Sequence, residues 1–278
     1  MTSEVVGLIA GEGQLPVLVA RGMRAQGHRV ACVAFRGHAH PALRDLCDWF
    51  TEVSLYRPGS WSRRLRKCGA EQAVMVGRVD KTRMHDRFRA FRDVPDWAGL
   101  RLWYRRLRHD RRSPAVLAAV ADEMEHGGIT LMDSTTHISE HMASVGQLGA
   151  VAATAGQQQD IALGWPLVQQ SANLGIGQSM AIRDGDVIAV EAAEGTAAMI
   201  KRAGELCRMS GWTLLKNSSA NHDRRADVPT VGVETIEQLA AAGAGVLAVG
   251  AGSVILLDRD AVIAAADAKG ISVIGLEV

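Results

Sequence analysis

Apolar residues in the first half of the chain gather in short β-branched runs, separated by stretches whose apolar positions recur every three or four residues. EVVGLIA (4–10), RVACVAF (29–35), DWFTEVSLY (48–56) and EQAVMVG (71–77) are the runs, each with the length and content of a strand. Between them, Val17–Gln26, Pro41–Cys47 and Ser60–Cys68 carry helical patterns. GEGQLP (11–16) turns the first strand into the first helix, and Gly27 closes that helix where a left-handed residue is favoured. Basic helices are predicted at about 84–92 and 97–109. A helix opened by Ser113-Pro114 then runs to about His126, and ITLMDS (129–134) gives one more strand.

Strands alternating with helices at this spacing predict an α/β fold with a doubly wound, mostly parallel sheet. Residues 143–175, rich in Ala, Gly, Gln and Ser, read as a linker running into a helix. That places a domain boundary near residue 145, with an α/β domain over 1–145 and a second, C-terminal α/β domain over 146–278. SMAIRDGDVIAVEA (179–192) is a hairpin, with Asp184-Gly185 supplying the positive φ values of its tight turn. An amphipathic helix is expected over Thr196–Met209. TIEQLAAAG, GVLAVG, SVILLD, RDAVIAAADAKG and ISVIGLEV then alternate helix and strand over 235–278. The uncharged stretch Leu239–Leu257 has membrane-spanning length, but Gly243, Gly245, Gly250 and Gly252 break it into a helix end and two strands.

Composition changes this picture little, since 47% hydrophobic and 22% charged residues describe an ordinary globular protein that needs no disulfide to hold its core. Cys32, Cys47, Cys68 and Cys207 are scattered without a CxxC pair and read as reduced thiols of a cytosolic protein. No signal peptide is expected, because acidic Glu4 precedes a short first apolar run. Charge changes the picture more. The net charge of +1 conceals a block over 57–112 with 17 Lys/Arg against 6 Asp/Glu, which calls for an acidic partner. Trp61, Trp97, Trp103 and Tyr104 are interleaved with it, as at membrane interfaces or stacking surfaces. The alternative is a solvated, salt-bridged helical face. No recognised RNA or DNA module is present, so nucleic acid is not expected as a partner.

Three groups of residues could carry chemistry. Gly11-x-Gly13 lies in a strand-to-helix turn whose backbone amides suit an anion, but Pro16 at the third glycine position and Arg36 at the next strand end exclude the dinucleotide fingerprint. His137-Ile-Ser-Glu140-His141 matches the inverted zinc-protease pattern, with no identifiable third ligand. Glu191, Glu194 and Thr196 sit where a strand gives way to a helix; Thr196 can cap that helix and the two carboxylates suit its positive end. NHDRRADVPTVG (221–232) packs His222, Asp223, Arg225 and Asp227 before a strand started by Pro229, which is a set able to hold a hard cation and clamp a phosphate, or a salt-bridged loop.

VEAAEGTAAMIKRAGEL (190–206), LLK (214–216), DRRADVPTVGVETI (223–236) and AAGAGVLAVGAGSVILLDRDAVIAAADAKGISVIG (241–275) together resemble the UDP-2,3-diacylglucosamine pyrophosphatase family of lipid A synthesis. GLIAGEGQLPV (7–17), MVGRV (75–79), GQLG (146–149), Gln159-Asp160-Ile161 and Ile176-Gly177-Gln178 extend the likeness over nearly the whole chain, more weakly from about 80 to 145. The resemblance implies a Rossmann-like N-terminal domain and a C-terminal domain of its own topology. It also implies a magnesium (or manganese) ion and attack of water on the α-phosphorus of a UDP-linked acylated sugar. A homodimer, and a cytoplasmic protein peripheral at the inner face of the inner membrane, follow from it as well.

Carried over by residue, the resemblance makes Asp227 the essential acid, as metal ligand or orienter of water. Asp223 and Glu194 are further ligands, and Lys216 and Arg225 are the cations that neutralise phosphate oxygens. Thr196, His222, Gly11 and Gly13 become substrate contacts. Four positions depart from the family pattern: Ala197 and Gly175 stand where it has Asp, Ser219 replaces a Lys and His222 a Gln. A catalytically silent protein that binds a UDP-sugar or anionic lipid is the competing reading.

Overall fold

The computed structural model describes residues 3–78, 95–104, 108, 113–219, 223–225 and 228–278. The chain forms two compact units, one from residues 1–139 with 223–227, the other from 140–222 with 228–278. Each is an α/β structure.

In the first unit, β1 (Val5–Ala10), α1 (Leu15–Ala25), β2 (Arg29–Phe35), α2 (Leu43–Leu46), β3 (Trp49–Val53), α3 (Pro58–Lys67), β4 (Gln72–Val76), α4 (Trp97–Leu102), α5 (Ser113–His126) and β5 (Thr130–Leu131) follow in order. The five strands form one parallel sheet in the order β3-β2-β1-β4-β5. Both faces are covered, which is why the strands read as continuous apolar runs rather than alternating ones. Ile9, Val33 and Met75 pack with Trp61 and Leu65 of α3 and Met124 of α5. Leu8, Cys32 and Val74, one residue out of phase, point to the opposite face. There α1 buries Val17, Val19, Ala20 and Met23.

Several bounds differ from the sequence reading for local reasons. Pro58 at the first position of α3 starts that helix two residues early. The strand expected over 129–134 shrinks to β5, because the Asp133 carboxylate accepts both the Thr135 N–H (2.8 Å) and its hydroxyl (2.7 Å) and turns the chain. The helix expected at 84–92 lies outside the described residues. The one expected over 97–109 is described only as α4 and the residues adjoining it.

The second unit contains β6 (Gly146–Gln147), α6 (Ala155–Asn173), β7 (Ser179–Arg183), β8 (Asp186–Val190), α7 (Thr196–Leu206), β9 (Trp212–Lys216), β10 (Thr230–Val231), α8 (Val233–Ala241), β11 (Ala244–Gly250), β12 (Ile255–Leu256), α9 (Arg259–Ala268) and β13 (Ser272–Leu276). Its six-stranded mixed sheet has the order β6-β13-β11-β9-β7-β8, with β9, β11 and β13 parallel, and β10 pairs with β12 separately. Leu214 and Leu247 face α7, α8 and α9; their neighbours Leu215 and Ala248 face Ile161 and Val168 of α6. The supposed linker is thus mostly α6, a 19-residue helix opened by a capping box of Thr154 and Gln157. Leu239–Leu257 divides into the end of α8, then β11 and β12, and no helix among the described residues is long and apolar enough to cross a membrane.

The β7–β8 turn has φ values of 49° at Asp184 and 82° at Gly185, as its Asp-Gly sequence predicts. The buried Asp160 carboxylate of α6 accepts both turn amides, from Asp184 at 3.1 Å and Gly185 at 2.8 Å. Asp160→Ala leaves those donors without their partner, so a loss of about 2 kcal/mol is expected in urea unfolding, whereas a change under about 0.5 kcal/mol would show the anchor to be dispensable.

Candidate functional site

The chemistry of the second unit gathers at the carboxyl ends of β9 and β11. Lys216 is the last residue of β9 and only 6% exposed. A buried ammonium is costly unless it is bonded. Its Nζ donates to the Thr196 hydroxyl at 2.8 Å, and that hydroxyl donates onward to Glu191 Oε1 at 3.0 Å. Ser179 at the start of β7, the partner of Lys216 across the sheet, brings its hydroxyl to 3.5 Å from that of Thr196. Thr196 does not cap its helix as the sequence suggests. Gly195, at φ 83°, takes the cap position, which leaves the Thr196 hydroxyl for the relay.

Two residues that the sequence reading passed over belong to this cluster. Asn217 follows Lys216 directly and is fully buried, with its Oδ1 accepting the Ser253 hydroxyl at 2.8 Å. Its Nδ2 finds no acceptor among the described residues, and neither does Glu191 Oε2 find a donor. Gly250 keeps the space open: a Cβ there would lie 2.2 Å from both Asn217 Oδ1 and Ser253 Oγ. The signal was present in LLKN and GAGS, with Asn217 directly after one buried strand and Ser253 three residues after the end of another.

The other expected residues are placed differently. Glu194 is not in the relay; its Oε1 accepts from Arg202 at 2.6 Å and its Oε2 from the Ala192 amide at 3.2 Å. Its own backbone N–H, then the Arg202 guanidinium, hold the carboxyl below the usual range. Gly175 has φ 69° just after α6, so the Asp expected there would be strained. Ala197 is exposed on the first turn of α7.

In the first unit, Asp223 and Arg225 bind each other. Arg225 Nε and Nη2 donate to the two carboxylate oxygens at 2.9 and 2.7 Å, and this carboxylate raises the guanidinium pKa. Their segment is anchored beside β5, where Arg224 meets Asp133 Oδ2 at 2.9 Å and the Thr135 hydroxyl at 2.9 Å. Asp227 and His222 lie outside the described residues. Among the expected metal ligands, therefore, both oxygens of Asp223 and of Glu194 are engaged. Among the described residues no three His, Cys, Asp or Glu side chains gather as a metal site.

Gly11 and Gly13 sit where a doubly wound sheet usually takes its ligand, between strands that diverge in chain order. Here that crevice is bridged. The Gly11 amide donates to the Val76 carbonyl at 2.8 Å, and Glu12 exchanges two backbone bonds with Arg78. A Cβ on Gly11 would lie 2.8 Å from Gly77 C, so both glycines are required by the close approach of two backbones. The Gly11 amide is therefore spent, not offered to a nucleotide.

The residues of the inverted zinc-protease pattern do not share a helix face, since Ser139–His141 is a single 3-10 turn. His137 is buried in the first unit, its Nδ1 bonded to Gln26 Oε1 at 2.5 Å and its ring edge-on to His28 at 5.2 Å. Because an amide oxygen can only accept, Nδ1 carries the proton, while the buried Nε2 has no partner.

Two family models match the chain, that of the LpxI N-terminal domain over residues 5–141 and that of the LpxI C-terminal domain over 144–274. The UDP-2,3-diacylglucosamine pyrophosphatase LpxI of Caulobacter vibrioides is 32% identical over 98% of this chain and 97% of its own length. Among solved structures, the biotin carboxylase domain of the Hydrogenobacter thermophilus 2-oxoglutarate carboxylase aligns at 11% identity and a TM-score of 0.25. That alignment covers 96% of this chain and 58% of that one.

Burial, then the neighbouring His28, lowers the His137 pKa below its ordinary 6.5. A lowered histidine leaves the folded state with fewer protons than the unfolded one. Its contribution is complete above pH 6.5 and is lost as pH falls through the folded-state value. The melting temperature should therefore decline over that window, and more shallowly in His137→Gln; equal slopes would show that His137 is not the group responsible.

Proposed function

Because the chain belongs to the LpxI family, we propose that it hydrolyses the pyrophosphate bond of UDP-2,3-diacylglucosamine. Water adds to the α-phosphorus, the bond to the sugar phosphate breaks, and UMP and 2,3-diacylglucosamine 1-phosphate leave. The observation that carries this reading is the bonding of buried Lys216 through Thr196 to Glu191, beside the buried Asn217 amide. A water-poor ammonium and an unspent amide N–H offer fixed donors to phosphate oxygens, whose charge builds as the transition state forms. Thr196 holds the lysine in position, and Glu191 holds Thr196. An inert scaffold would gain nothing from burying those groups.

Asp227 is the proposed essential acid. A magnesium or manganese ion bound there would act as a Lewis acid on a phosphoryl oxygen. Acyl chains on both substrate and product suit a protein working at the inner face of the inner membrane without spanning it.

Purified protein with the substrate in detergent micelles should release UMP when magnesium or manganese is supplied. Release should stop on chelation and return with metal. Asp227→Ala should abolish it, while Lys216→Met and Asn217→Ala should each lower kcat about 10²–10³-fold. Substrate binding without turnover under every metal condition would replace this reading with that of a silent binding protein.

A further inference from the structure

The outer surface of the first unit carries a cationic helix and an exposed aromatic helix side by side. Helix α3 buries Trp61 and Leu65 and turns Arg63, Arg64, Arg66 and Lys67 to solvent. Among the described residues none of those four forms an ion pair with a carboxylate. Arg63 donates instead to the Gly59 carbonyl at 3.1 Å and Arg64 to the Ser60 hydroxyl at 3.3 Å. At the opposite end, Arg57, Arg36 and Arg64 line a cavity of about 110 Å³ beside the first turn of α3. Glu52, the acidic residue in that cavity, is paired with Arg44 at 2.9 Å.

Helix α4 adjoins that end. Asp96 Oδ2 accepts the Ser60 amide at 3.0 Å while its Oδ1 accepts that of Gly99 at 2.9 Å, which ties the start of α4 to the start of α3. This short helix buries no residue. Trp97 is 80% exposed, Leu100 47% and Tyr104 61%, at i, i+3 and i+7, with Trp103 also exposed. Single exposed apolar residues need no explanation, but two tryptophans, a tyrosine and a leucine within one short helix and the two residues after it do.

We propose that α3 and α4 together form a docking surface for an anionic lipid bilayer. Indole and phenol rings settle at the level of lipid headgroups, and arginine and lysine meet the phosphates there. The charge of the surface and its aromatic content fit that partner jointly; a nucleic acid would account for the first and not for an exposed leucine. The proposed hydrolysis supplies only the reason for such a surface, an amphiphilic substrate.

The test is co-sedimentation of the full chain with vesicles of phosphatidylcholine alone and with phosphatidylglycerol added, with no substrate present. Binding is expected to the anionic vesicles. The triple variant Arg63→Glu/Arg64→Glu/Lys67→Glu should weaken it at least about tenfold, and Trp97→Ala/Trp103→Ala severalfold, with unchanged thermal melting. Absence of binding to anionic vesicles, or equal binding by the variants, would overturn the proposal. So would displacement of the protein from vesicles by random oligonucleotide at equal phosphate concentration, which would make nucleic acid the partner. Since no turnover is measured, failure here leaves the hydrolase reading standing, and failure of UMP release leaves this one standing.

Discussion

A lysine at the end of a central strand with nearly no exposure sets the terms for the whole second unit. Lys216 cannot be carried there as a bare charge, so the unit converges on it: β7 brings Ser179, the β8–α7 corner brings Glu191 and Thr196, and β11 ends in a glycine that leaves room for Asn217. Each of these is a short link from a rigid strand or helix end, which gives the donors fixed positions. The glycine at the cap of α7 belongs to the same solution, because it releases a threonine hydroxyl from helix duty. A packed apolar core lies on both sides of the sheet.

The first unit obeys a different constraint. Two backbones meet where a doubly wound sheet usually receives a ligand, and Gly11 and Gly77 exist to let them touch. What the turn lacks in free amides the rest of the unit offers in exposed cations. Its exposed cations line α3, whereas the lysine of the second unit is buried.

Strand positions and the alternation of strand with helix were readable from the chain because each depends on a local pattern. The Asp184-Gly185 hairpin was readable for the same reason. The end of β5 was not, since it depends on one carboxylate turning back on Thr135. The candidate site was legible in part. Lys216 and Thr196 were named and do meet. The spacing of Glu194 from them gave no hint that Arg202 would claim it, and Asp223, named as a metal ligand, and Arg225, named as a cation for phosphate oxygens, turn out to be partners of each other. Asn217 was missed because its meaning depends on Ser253, 36 positions away, and no window of sequence holds both.

The segment 223–227 belongs to the first unit although it is read from the second half of the chain. The polypeptide therefore passes between units at 139/140, again at 222/223 and again at 227/228. On the ribosome this imposes an order. Asp133 and Thr135 emerge early, yet their partner Arg224 is delivered only after most of the second unit has been synthesised. The first sheet can form from its own strands, but its last corner stays open until then, and a fragment cut at residue 139 would keep that corner unfinished.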